Sequence, residues 1–248
     1  MPIQAIEPRR LYRQIADQLR ALIDGGEFAP GSRLPAERDL AQQLGVSRPS
    51  VREALIALEV EGVVEVRMGS GVYVRSRAAR AVAVAVAPAV EGEGPLETIR
   101  ARQVLEGELA AMAALASSPA LVAALTEAVD QMEQDIDAGL MPLRGDRLFH
   151  LRMAEAAENA PLLRVVTQLF DERNNPLFER LGRHFENADN WRAAVAEHRR
   201  VVQAVAVGDA AAARAAMREH LQRSHDRFTV NWPATDAAPL LAPERITP

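Results

Sequence analysis

The sequence predicts a mainly α protein in two parts: an N-terminal unit of three helices and a β-hairpin, then a longer unit of helices alone. Three observations carry this. Apolar residues recur at helical spacing through most of the 248 residues. Alanine is abundant and aromatics make up only 4% of the chain, a balance that favours helices over sheets. The clearest β-type runs, VVEVR and VYVR, flank Met68-Gly69-Ser70-Gly71 as a hairpin does.

In order along the chain, LYRQIADQLRALID repeats Leu11, Ile15, Leu19, Leu22 and Ile23 at helical spacing, and Gly25-Gly26 ends that helix. PAERDLAQQLG places Pro35 at a first helical position and stops at Gly45. Ser47 caps a third helix that runs to about Glu61 and stops at Gly62. The hairpin follows. Residues 76–97 carry an Ala/Val run and then Pro and Gly. The alternation AVAVAVA is compatible with a strand, but a lone strand has no sheet to join, and a short helix beside a linker serves as well. The expected division is therefore 1–75, a linker 76–97, an all-helical unit 98–231 and a loose Pro/Ala-rich tail 232–248.

Helices in the second unit are expected over 95–117, 119–138, 144–158, 160–186 (with a break near Asn174–Pro176), 189–207 and 209–230. Ser117-Ser118-Pro119, Gly139 to Gly145, Asn159 to Pro161 and Gly208-Asp209 separate them. No repeat recurs at a fixed period.

Composition narrows the chemistry. Without cysteine there is no disulfide framework and no thiolate metal site, so any metal must use His and carboxylate. MPIQAIEPRRLYRQI lacks a signal-peptide core, and no apolar run is long enough to span a bilayer. The expectation is a soluble, cytoplasmic protein with no membrane partner. Every basic side chain is arginine and the net charge is −5. Residues 1–75 balance ten Arg against ten Asp plus Glu, so a nucleic-acid role must rest on where the arginines sit.

Their placement is ordered. Val51, Ala54, Leu55 and Leu58 form an inward face on the third helix. Arg48 and Arg52 lie one turn apart beside it, near the amino end. The planar fork of arginine suits guanine O6 and N7 together. Ser47 and Ser50 can donate to phosphates. Arg38, in the preceding helix, and Arg33, just before it, sit where backbone contacts are expected. The hairpin would act as a wing, bringing Arg67 and Gly69 to phosphate or the minor groove. The alternative is a small helical domain with solvated arginines. Against it, four arginines fall within residues 33–52 of an ordered helix–helix–hairpin unit.

LPAERDLAQQLGVSRPSVREALIALEVEGVVEVRMGSGVYV resembles the winged helix-turn-helix of the GntR family of bacterial transcription regulators, over roughly residues 8–75. The resemblance implies double-stranded operator DNA as partner, contacted through Arg38, Ser47, Arg48, Ser50 and Arg52, with Gly69 at the wing tip. A homodimer reading a pseudo-palindrome is expected. Pro49 stands where relatives often carry Thr, and Met68 and Ser70 replace the His or Lys some relatives use, so base preference does not carry over.

The second unit has histidines in unusual places. Val195, Val201, Val202 and Val205 surround His198, and His220 shares a face with Ala213, Ala216 and Met217. Gly208-Asp209 joins their helices, and an antiparallel hairpin would bring both rings to one level. Asp146 and His150, four apart, stack on a face that also carries Phe149 and Met153. A carboxylate and an imidazole one turn apart can share a metal, and bundle cores are where such sites are built. Any one inward His is also readable as a hydrogen-bonded core residue; three, with an Asp, favour a divalent metal. The donor set favours Zn, with Ni, Fe or Mn as alternatives. His184 and His225 lack this setting and read as surface or rim residues. No HExxH pattern and no Glu placed as a general base is present, so no enzymatic activity is expected. A bound anion would need countercharge from Arg102, or from Arg152 and Asn159. Arg102 reads equally as an ion pair with Glu106, one turn on.

This part resembles the all-helical, FCD-type ligand-binding domain of the FadR-like branch of the same family. The matching motifs are Arg102-x-x-Leu105-Glu106, Asp146-x-x-x-His150, Asn159, Glu197-His198 and His220-Leu221. The resemblance implies Asp146, His150, His198 and His220 as metal ligands, and a small carboxylate effector that completes the coordination. EPRRLYRQIADQLRALI and NNPLFERLGRHFENADNWR, with EHRR and MREHL, resemble the hexuronate regulators of that branch. That implies a sugar acid effector, with lactate, pyruvate and other small acids as alternatives. The expectation is an effector-responsive homodimeric repressor. A metal enzyme carrying a DNA-binding appendage, or a constitutive DNA binder with a structural metal, are the competing readings.

Overall fold

The computed structural model describes residues 10–76, 78–79 and 92–230. The chain divides into two compact units, one holding the residues up to 88 and the other spanning 89–230. Most of the segment read as a linker, and the whole of the expected tail, lie outside the described residues.

In the first unit α1 (Leu11–Asp24) buries Tyr12, Ile15, Ala16, Leu19 and Ile23 against α3. Leu11 and Leu22, expected on that stripe, are 46% and 40% exposed. The continuous i, i+3, i+4, i+7 face starts from Tyr12, not from Leu11. The second helix, α2 (Glu37–Leu44), has Ala36 at its N-cap, so Pro35 precedes the helix instead of opening it. Gly45, at φ 65°, closes it in the left-handed conformation that glycine adopts most cheaply. In α3 (Arg48–Val60) the Ser47 hydroxyl accepts the Ser50 N–H, and Pro49 sits in the first turn, where its missing N–H breaks no helical bond. Val51, Ala54, Leu55 and Leu58 are fully buried.

The hairpin pairs β1 (Val64–Arg67) with β2 (Gly71–Val74), Val64 facing Val74 and Val66 facing Val72. These four valines are buried, as strand alternation requires. The Leu34 N–H donates to Val72 O, and the Val74 N–H donates to Ser32 O. The chain entering α2 therefore pairs with β2 and fixes the wing to the helices.

The second unit contains seven helices among the described residues: α4 (Pro95–Leu115), α5 (Pro119–Asp137), α6 (Leu143–Glu155), α7 (Ala160–Asp171), α8 (Pro176–Phe185), α9 (Ala188–Ala206) and α10 (Ala210–Val230). The expected break after α7 is present: the Asn175 side chain accepts the N–H groups of Leu177 and Phe178 and starts α8 afresh. Packing of α4 on α10, α9 on α10, α5 on α6 and α9 on α5 encloses one core. Leu125, Met132, Phe149, Met153, Val201, Val205, Met217 and Leu221 fill it. Gly208, at φ 72°, turns α9 back into α10, and the Asp209 carboxylate caps α10 through Ala212 N–H. At Gly145, α6 lies against α5 so closely that a Cβ would stand 2.6 Å from Ala128 O. A larger residue at 145 would push α6 off α5. Among the described residues no helix is long and apolar enough to cross a membrane.

Candidate metal centre and nucleic-acid interface

Antiparallel α9 and α10 bring His198 and His220 to one level, and α6 delivers Asp146 and His150 from the facing side. One ligand atom from each of the four lies within 4.8 Å of all the others. His150 Nε2 and His198 Nε2 are 3.3 Å apart. Asp146 Oδ1 is 3.6 Å from the first and 3.4 Å from the second. The three rings are buried, His198 completely.

Each ring's other nitrogen is held from outside. His150 Nδ1–H donates to Glu106 Oε2. His198 Nδ1–H donates to Ala194 O at 2.8 Å. His220 Nδ1–H donates to Glu197 Oε2 at 2.9 Å. Fixing the proton on Nδ1 turns the Nε2 lone pair inward, the arrangement metal-binding histidines use. Two inward lone pairs and a carboxylate oxygen at this spacing repel one another unless a proton or a metal cation lies among them. Two ligands on one tetrahedral zinc, each ~2.0–2.1 Å from it, would be ~3.3 Å apart. The residues present therefore fit a divalent cation.

Outer carboxylates and arginines complete the electrostatics. Glu106, although buried, is held at about 2 by Arg102 and His150. Asp146 is only half-buried, and Arg173, His150 and His198 hold it well below the usual carboxylate range. Burial, with His220 nearby, pushes His198 well below the imidazole range, and burial lowers His220 as well. Burial alone would also lower His150, but Glu106 raises it.

A small cavity of about 70 Å³ opens beside the cluster. Asp146, His150 and His220 line it, with Arg102, Arg173 and Arg227. These arginines also hold carboxylates, two of them outer groups and one the candidate ligand Asp146. Arg102 Nε donates to Glu106 at 2.6 Å, Arg173 donates to Asp146 and Arg227 donates to Glu197. Arg102 thus makes the ion pair with Glu106 and faces the cavity too.

Arg152 and Asn159 are not among the lining residues. Arg152 pairs with Glu127 at 2.9 Å, and Asn159 caps α7 through Leu162 N–H. His225, read as a surface or rim residue, is buried at 9% exposure. His184 is half-buried. Sequence reasoning passed over Arg173 and Arg227 and took Glu197 only as part of a motif. Arg227 lies two turns beyond His220 on the same helix, a spacing that could have flagged it. Arg173 sits in the turn after α7 and carries no such signal.

In the first unit Arg33, Arg38, Ser47, Arg48 and Arg67 are exposed and Ser50 is half-exposed. The Ser47 and Ser50 hydroxyls pair with each other at 2.8 Å. Arg67 stacks over Tyr73, 4.5 Å from the ring centre, and Gly69 turns the wing at φ 72°. Arg52 departs from expectation. It is 2% exposed, and its guanidinium binds Glu37 Oε2 through Nε at 2.8 Å.

Comparison with known proteins agrees with both halves. Residues 11–74 match the family described as bacterial regulatory proteins, gntR family, and residues 97–223 match the FCD domain. The chain is 34% identical over 228 residues to the Uxu operon transcriptional regulator of Escherichia coli, covering 90% of this chain and 89% of that one. It is 35% identical over 226 residues to the Exu regulon transcriptional regulator of the same organism, covering 90% and 86%. Among solved structures, E. coli McbR/YncC shares the fold with a TM-score of 0.50 at 24% identity, covering 89% of this chain and 97% of that one.

Proposed function

The chain belongs to the GntR family of bacterial regulatory proteins and carries an FCD domain, and on that premise we propose that it is a cytoplasmic, homodimeric repressor whose hold on operator DNA is controlled by a small carboxylate bound at a metal centre. It is a transcription regulator, not an enzyme, as its relatives are. Asp146, His150, His198 and His220 are the metal ligands, and the donor set favours zinc over nickel, iron or manganese. The observation that carries this is the inward convergence of these ligand atoms, each imidazole held from behind by an acceptor on its Nδ1. When bound, the cation supplies a Lewis-acid anchor for the effector carboxylate. Arg102, Arg173 and Arg227 supply countercharge on the cavity wall.

The effector class is a sugar acid. The Uxu operon and Exu regulon regulators are the relatives that suggest it, and Asn190 and Ser224 on the cavity wall suit hydroxyl groups. Residues 1–75 form the DNA-binding domain, 76–97 the linker, 98–231 the metal and effector domain and 232–248 a tail. Arg48 faces base edges. Arg33, Arg38, Ser47, Ser50, Arg67 and Gly69 position the backbone. To release DNA, the effector must bind the DNA-incompetent arrangement more tightly than the competent one.

The test is calorimetric titration of galacturonate, glucuronate, lactate and pyruvate into metal-loaded and chelator-stripped protein, followed by DNA binding with each acid that binds. The expected result is one sugar acid that binds only the metal-loaded protein and weakens DNA binding. A metal-loaded protein whose DNA affinity no bound acid changes would be a constitutive binder with a structural metal.

A further inference from the structure

Glu37, the first residue of α2, is 5% exposed. Both its carboxylate oxygens are taken up by α3. Oε1 accepts from Arg48 Nε at 2.7 Å. Oε2 accepts from Arg52 Nε at 2.8 Å and from its Nη2 at 2.7 Å. The two arginines differ sharply, since the Arg52 side chain is 2% exposed and that of Arg48 is 61% exposed.

A structural tie between α2 and α3 accounts for Arg52, because a buried guanidinium needs a buried carboxylate. It does not account for Arg48. An arginine with most of its side chain in water gains little from an ion pair, and holding it in one rotamer costs side-chain entropy. The consequence of the contact is geometric. With Nε committed to Glu37, the donors left to Arg48 are the two terminal nitrogens at its tip. Two parallel N–H groups are what guanine O6 and N7 accept. Pre-ordering that fork also reduces the entropy lost when DNA binds.

We infer that Glu37 is a positioning residue that sets base specificity: anchored on buried Arg52, it holds Arg48 by Nε so that Arg48 reads guanine end-on. This rests on the reading above in which Arg48 faces base edges.

Full-length protein first selects its preferred duplex from a randomised pool. Fluorescence anisotropy then measures affinity for that duplex, for its single-base variants and for a random-sequence duplex. Arg48→Ala is the reference and should lower discrimination at one base pair by about tenfold. Glu37→Gln frees Arg48 but leaves the Arg52 charge buried. The double variant Glu37→Gln/Arg52→Met removes that charge as well, so the fold survives if the single variant does not; circular dichroism checks both. The expected result is a loss of discrimination at the same base pair that Arg48→Ala affects, by at least about threefold. Affinity of the double variant for the random duplex should stay within about twofold, since phosphate contacts are untouched. Unchanged discrimination at that base pair in a folded Glu37 variant would reduce Glu37 to a structural tie. If Arg48→Ala altered no preference at all, the reading of Arg48 would fall first and this inference with it.

Discussion

His150 Nε2 and His198 Nε2 stand 3.3 Å apart, and each ring donates its Nδ1–H away from the other, to Glu106 and to Ala194 O. Two lone pairs facing across that distance in a buried site are unfavourable by themselves and favourable around a cation. Metal should therefore stabilise the fold as well as bind it. Free zinc at about 100 times its dissociation constant should add ~2.7 kcal/mol, seen as a rise in Tm that a chelator reverses. His198→Ala should fold and lose the metal-dependent rise. A His198→Ala protein that keeps the metal but melts far lower would identify His198 as a core residue.

The outer carboxylates should matter nearly as much as the ligands. Glu197 Oε2 accepts from His220 Nδ1–H at 2.9 Å, and Arg227 binds its other oxygen. Glu197→Gln keeps the shape but weakens the grip that orients the His220 ring and raises its basicity. Metal affinity should fall roughly 10–100-fold, measured by competition with a chromophoric chelator. An affinity unchanged within error would mean that Glu197 serves Arg227 alone.

The stability of the metal-stripped protein should fall as pH drops below the ordinary imidazole range. His198 and His220 are held low by burial, so below that range the unfolded chain takes up protons that these two folded rings refuse. Stability is then lost as pH falls. His150, raised by Glu106 against its burial, works the other way: its contribution is present at low pH and lost as pH rises. His198, held furthest from its ordinary range, sets the expected net sign. Glu106, Asp146 and Glu197, all depressed, add their loss only at more acidic pH. Thermal melts of stripped protein between about pH 7.5 and 5.5 should show Tm falling, and His198→Gln should flatten the slope. A Tm that rose on acidification would mean His150 dominates.

The elements were legible from local periodicity, as were the two halves of the cluster, Asp146 with His150 and His198 with His220; joining the halves, 48 residues apart at His150 and His198, rested on their inward faces and on the resemblance to the FCD-type domain. Asp146 and His150 share a helix, and Gly208 fixes how α9 returns into α10. What depends on contact between distant segments was not legible. Glu106 and His150 are 44 residues apart, and Arg173 reaches Asp146 from the turn after α7. No spacing rule predicts either pair. Arg152 and Asn159 carried the right chemistry for an anion, but Arg152 pairs with Glu127 and Asn159 caps α7. Tyr12 in place of Leu11 on the buried stripe is a smaller error of the same kind, since periodicity gives the face only to within about one residue.

Arg52 shows what that limit means for function. Its place one turn from Arg48 suggested a second base-reading arginine, but Glu37 lies 15 residues earlier in the chain and holds it in the interior. Arg48→Ala and Arg52→Ala should therefore fail differently. Truncating Arg48, mostly exposed, removes a surface side chain and should leave Tm nearly unchanged while DNA affinity falls by about 1–3 kcal/mol. Truncating Arg52 leaves the buried Glu37 carboxylate with only the exposed Arg48 as partner, a loss on the order of 3 kcal/mol. In a domain of this size that lowers Tm by more than about 10 °C. Calorimetric melts of the two variants, with anisotropy on the selected duplex below the transition, separate the cases. If Arg52→Ala melted with the wild type and lost base discrimination, Arg52 would leave Glu37 to meet DNA, and the interior position would be only one of its two states.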